Sequence, residues 1–258
     1  MISILKMGSI TARIMIATIM ILLAIITIFM IGNIGIDESI KVKLLDIKST
    51  SYPFTVQNIM WLFFYMGIGE LLYRLIVSKY IHYEISLKLL PQNEETMLTT
   101  SNTRDMYSNI KKHVKKESFL PLLIKKLIAH FQSTKSIAQT QELFTTLMDI
   151  RYSEMNVDYS MIRYITWIIP TLGFIGTVVG ISQALAYAAA NDPTSKTFLA
   201  NLTAKLGVAF DTTLVALLMS AFLVFFLHIV ESYEEKTLGT LEEYVLDNFI
   251  TKLYIHKS

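Results

Sequence analysis

Three runs without a single charged residue constrain this chain more than any motif in it: residues 14–31 (18 residues), 164–190 (27 residues) and 212–230 (19 residues). A helix needs about 20 apolar residues to cross roughly 30 Å of hydrocarbon, so each run is long enough to span a bilayer. A fourth stretch, 54–77, is interrupted only by Glu70 and Arg74. The chain is 53% hydrophobic and only 17% charged, where a soluble domain carries about a quarter. The expectation is an all-α, polytopic membrane protein with four transmembrane helices.

The first run follows Lys6 and Arg13 but is longer than a signal-peptide core, and no small-x-small site follows it, so it reads as a retained span. The chain contains no cysteine, which excludes disulfides and thiolate metal sites. A net charge of +2 gives nucleic acid no electrostatic footing. The connections are very unequal. Residues 78–162 hold eleven of the 23 Lys and Arg residues, whereas 191–205 form a short turn around Asp192-Pro193. Basic residues favour the cytoplasmic side, which places the long segment and both termini inside. The organisation expected is a first helix pair over 1–78 (spans about 14–32 and 54–77) and a cytoplasmic helical region over 79–162. Two further spans over 163–231 and a cytoplasmic C-terminal helix over 232–258 complete it.

Glycine is absent from 78–167, and no Gly or Pro occurs from 133 to 167, so one helix should run unbroken from there into the third span. In the tail, Leu238, Leu241, Val245, Phe249 and Leu253 recur at three- and four-residue steps and form one apolar stripe.

The third span carries Gly173, Gly176, Thr177, Gly180, Ala184 and Ala188 on one face of small side chains. Lipid gives helices no hydrophobic reason to associate, so close backbone approach must supply the attraction. In the fourth span Ala209, Thr213, Ala216 and Ser220 make a matching stripe beside Asp211 and Thr212. Plain helix packing accounts for any one of these small residues; Thr177, near the middle of its run, adds a hydroxyl near the bilayer midplane. Asp211 has two readings. An ionisable residue in a span faces the bundle interior or a wet cavity, but this one is also close enough to the turn to sit at the membrane surface. Asp211 and Thr213 are about 200° apart on a helix and cannot share a face.

The string GFIGTVVGI (residues 173–181), opened by Pro170, resembles the G-L-x-G-T-V-x-G-I signature of the MotA/TolQ/ExbB family, and AFDTTLVAL (209–217) resembles that family's next helix. The two occur in the family's order, joined by a short turn, and together cover about 65 residues. The resemblance implies a homopentameric ring around two copies of a single-span MotB/ExbD/TolR-like partner bearing a membrane Asp. Protons or sodium ions would pass between ring and partner to power mechanical work, with a cytoplasmic or envelope effector receiving it. It implies an ion path lined by Thr177 and Thr213, with Thr212 and Asp211 beside them, and no cofactor. A threonine hydroxyl can serve a carboxylate or a hydrated ion without the cost of a buried charge. The sequence departs from the TolQ/ExbB branch at Val208, where that branch usually carries Glu. Its four spans resemble the MotA arrangement, whereas the wording of the two motifs is closer to TolQ/ExbB, so both subfamilies stay open.

Two other classes are weighed against this one. A membrane scaffold would use the same small-residue faces for assembly alone. An intramembrane enzyme would need a catalyst at membrane depth, and no HExxH, paired Asp or Ser/His constellation stands there. Glu70 and Arg74, four apart, read as a local helical ion pair. The basic cluster Lys111, Lys112, Lys115 and Lys116 reads as a solvated face near headgroups, with docking of a cytoplasmic partner as the sharper alternative.

Overall fold

The computed structural model describes residues 9–49, 51–93, 97–99, 102–104, 106–107, 110 and 119–254; the basic cluster at 111–116 lies outside the described residues. The elements, in chain order, are α1 (Ser9–Asn33), α2 (Glu38–Leu45), α3 (Val56–Ser86), α4 (Phe119–Thr134), α5 (Ile137–Ala190) and α6 (Phe198–Val245). The last passes into a π-helical turn, Leu246–Ile250. Among the described residues no strand forms; the one extended pairing is a bridge between Leu98 and Leu253. Four helical stretches, Thr11–Asn33, Val56–Ser86, Ile137–Ala190 and Phe198–Ile250, are long and apolar enough to cross a membrane. The all-helical fold expected from the uncharged runs is therefore present, with four helices of membrane-spanning length. Hydrocarbon offers no hydrogen bonds, so a spanning backbone must satisfy itself, and the helix does so within one segment. The outward sides are correspondingly apolar: Phe29, Phe174 and Leu218 are all more than 60% exposed.

The chain divides into two compact units, one made of Met1–Tyr73 and Ser160–Ile229, the other of Arg74–Tyr159 and Val230–Ser258. In the first, α1 and α3 are joined by packing and by polar bonds. A Cβ on Gly69 would lie 2.7 Å from the Met20 side chain, the Thr27 and Tyr65 hydroxyls are 2.7 Å apart, and Arg13 pairs with Glu70 at 2.6 Å. Gly67 does the same for α3 against its other neighbours, with Leu223 of α6 and Ile165 of α5 closing over it. The connection before α3 is tied down too: Trp61 donates its indole N–H to the Leu44 carbonyl, and Thr55 donates to that of Leu45.

In the second unit the core comes from α4 (Leu120, Ile124, Leu127, Ile128, Phe131) and from the tail stripe, all five members of which are buried. Its polar centre lies where no local pattern pointed. Arg74, 2% exposed, pairs with Asp158 and with Glu234, which is fully buried. Tyr159 donates to the other oxygen of Glu234 at 3.0 Å, and Arg151 lies 3.9 Å from the oxygen that Arg74 engages.

Two expectations need correction. The local Glu70–Arg74 pair is an incomplete description, because Glu70 is engaged by Arg13 from α1, and Arg74 by residues of α5 and α6. The helix expected to run unbroken from about residue 133 begins at Ile137 instead. The break falls at Lys135, which adopts a left-handed conformation (φ 49°) and donates its N–H back to the Phe131 carbonyl. Ser136 then accepts from the Gln139 N–H through its hydroxyl, a serine N-cap for α5.

Candidate functional site

The second halves of α5 and the first part of α6 meet along their small residues. A Cβ placed on Gly173 would collide with Ala216, one on Gly176 with the Thr212 methyl, and one on Gly180 would stand 2.6 Å from the Ala209 Cβ. The three glycines therefore let the two backbones approach to a distance that any side chain would forbid. Van der Waals contact at that range, with polar bonds across it, is what holds helices together in lipid. Ala184 is 1% exposed, and Ala209 and Ala216 are fully buried.

Close approach brings polar side chains onto the opposing backbone. Thr177 of α5 donates to the Ala209 carbonyl of α6 at 3.1 Å, or to its own helix at Gly173. Thr213 of α6 donates to the Gly173 carbonyl of α5 at 3.0 Å. The two hydroxyls are also within hydrogen-bonding reach of each other, and the one that donates across the pair gives up its bond to a carbonyl. Both residues are half-buried, so two hydroxyls with only two protons between them sit at the helix crossing with one edge open. Such a pair can donate to an approaching carboxylate or accept from a hydrated cation by turning its O–H bonds, and needs no buried charge.

Ser220 has a separate task. Pro170 lies inside α5 and has no N–H, which deprives the Thr166 carbonyl of its partner four residues on. Ser220 of α6 donates to that carbonyl at 3.0 Å. The proline thus leaves an acceptor that the neighbouring helix fills.

The adjacent threonine faces elsewhere. Thr212 is 2% exposed; it donates to the Val208 carbonyl and accepts from the Gln57 side-chain amide of α3 at 2.9 Å. Asp211 is half-buried and takes no part in the Thr177–Thr213 hydrogen bonds. Sequence reasoning thus named four polar residues, of which the structure brings two together, turns Thr212 toward a third helix and leaves Asp211 to one side. Gln57 carries little signal in the sequence: it is one of two adjacent amides, with Asn58, near the start of the second span. Among the described residues no three His, Cys, Asp or Glu side chains converge as a metal site requires.

No curated protein and no solved structure matches the chain. The family model of the MotA/TolQ/ExbB proton channel family matches residues 111–243. That match takes in more than half of the 258 residues, both threonines of the hydroxyl pair and the whole of the glycine face. The chain therefore belongs to the MotA/TolQ/ExbB proton channel family.

Proposed function

We propose that the chain is the ring-forming channel subunit of an ion-driven motor complex, which couples H⁺ or Na⁺ flow to mechanical work through a single-span partner. The half-buried Thr177–Thr213 hydroxyl pair carries this reading. It provides exchangeable hydrogen-bonding groups within the two spans while offering no titrating group of its own, so a carboxylate from another chain completes the path. Family membership supports a channel role over an enzymatic one. In this reading five copies surround two copies of the partner in the bacterial inner membrane, both termini are cytoplasmic, and the partner's membrane Asp passes along the threonine face. Asp211 would serve at the outer mouth.

The test is isolation of the chain from native membranes with whatever co-purifies, weighed intact by native mass spectrometry. The expected species is five copies of the chain with two of a small single-span protein. A complex of another composition that shows no ion conductance in liposomes would favour the scaffold reading, in which the small-residue faces only assemble an envelope or export complex.

A further inference from the structure

We infer that Gln57 of α3 is a positioning residue for the hydroxyl pair, acting through Thr212. The inference deepens the channel reading above and rests on it for its functional consequence, but its geometric content stands on separate contacts. Gln57 is 1% exposed, and its amide donates to the Thr212 hydroxyl at 2.9 Å. A buried amide in a membrane helix is costly to leave without partners, so it stays where it is satisfied.

Thr212 is held on three sides. Its hydroxyl donates to Val208 and accepts from Gln57, and its methyl fills the notch at Gly176, which Val56 of α3 also approaches to within 3.5 Å of a Cβ position. Successive residues on a helix are about 100° apart. Fixing the rotation of α6 at Thr212 therefore fixes where Thr213 points, one residue on. That direction places the Thr213 hydroxyl on Thr177 and on the Gly173 carbonyl. The glycine face lets α5 and α6 approach, but close packing of small residues leaves rotation and sliding loosely defined. A directional bond from a third helix supplies the missing constraint. The two neighbouring threonines thus divide the work: Thr213 presents its hydroxyl at the crossing, and Thr212 receives the hold from α3.

The chain has no cysteine, so a Thr177→Cys/Thr213→Cys pair in the full-length protein, in lipid, reports the crossing by oxidative cross-linking. In that background Gln57→Leu and Thr212→Val are each expected to slow cross-linking about three- to tenfold, the shift one interhelical hydrogen bond in a bilayer can supply. Thr212→Ser keeps the hydroxyl and should retain the native rate. Valine fills the Gly176 notch as well as threonine does, so a purely steric role for Thr212 predicts native cross-linking in Thr212→Val. Native rates in both Gln57→Leu and Thr212→Val overturn the inference. Ion uptake by native membrane vesicles is measured in parallel, with the wild-type threonines in place. If deleting the chain leaves uptake unchanged, the channel reading fails, while the cross-linking result still decides the role of Gln57.

Discussion

At the scale of single residues, the glycines of α5 matter for the side chains they lack. A Cβ on Gly180 would stand 2.6 Å from the Ala209 Cβ and 3.0 Å from its backbone Cα, and the latter cannot turn away. Gly180→Val should therefore push the helices apart and lower the denaturation midpoint in detergent, at a cost of about 1–3 kcal/mol typical of overpacking. Ser220→Ala is a milder change. It leaves the Thr166 carbonyl without the donor that Pro170 took away, and should cost about 0.6 kcal/mol and at most about 1.7 kcal/mol, the range for polar bonds between membrane helices. Unfolding titrations of the two variants should rank them in that order. These contacts were legible in the sequence because small residues three and four apart define a face whatever lies opposite. The Gln57–Thr212 bond was not, since it joins residues 155 positions apart and nothing local in either helix implies the other.

At the scale of elements, the second half of α3 is fixed by charge. Arg74 is engaged by Asp158 of α5 and by Glu234 of α6, which lies beyond the uncharged run ending at Val230. Burial pushes the Glu234 carboxyl above its ordinary range, while Arg74, Tyr159 and Arg151 pull it back. Arg74→Met removes the strongest of these pulls and strands a buried carboxylate, a loss worth about 3–5 kcal/mol when one partner of a buried pair is deleted. The sign of the pH effect follows. Burial already makes the folded wild type hold the Glu234 proton more tightly than the unfolded chain does, and losing Arg74 raises that hold further. The variant's deficit against wild type should therefore deepen as pH climbs through the wild-type carboxyl's own raised value. Thermal unfolding of wild type and variant across that range checks both magnitude and direction. A deficit that shrank with rising pH would contradict it. The sequence marked Arg74 as a charge in an apolar run, and the nearest opposite charge, Glu70, was the natural partner to expect. The partners that hold it in the second unit are 84 and 160 positions away, which helical spacing cannot reveal. The break at Lys135 was hidden for a related reason: a non-glycine residue in the left-handed region leaves no compositional mark.

At the scale of the whole molecule, no titrating side chain among the described residues is hydrogen-bonded to the hydroxyl pair, and the first two membrane-length helices contribute differently from the last two. The first two helices brace: α1 holds α3 through Arg13–Glu70 and Thr27–Tyr65, and α3 holds α6 through Gln57. The last two present the threonines. The number and apolarity of the spans could be read directly from composition, because hydrocarbon imposes length and lack of charge on anything that crosses it. The division between bracing and presenting helices could not, because it depends on side-chain bonds between helices. The central claim is that the Thr213 hydroxyl lines the ion path rather than merely tying α6 to α5. Ion uptake by native membrane vesicles carrying Thr213→Ser or Thr213→Val, at equal amounts of assembled complex, tests it most directly. The account predicts that serine, which keeps the hydroxyl, supports flux near the wild-type rate, and that valine, which keeps the shape, abolishes flux while leaving the complex assembled. Undiminished flux in Thr213→Val would contradict it.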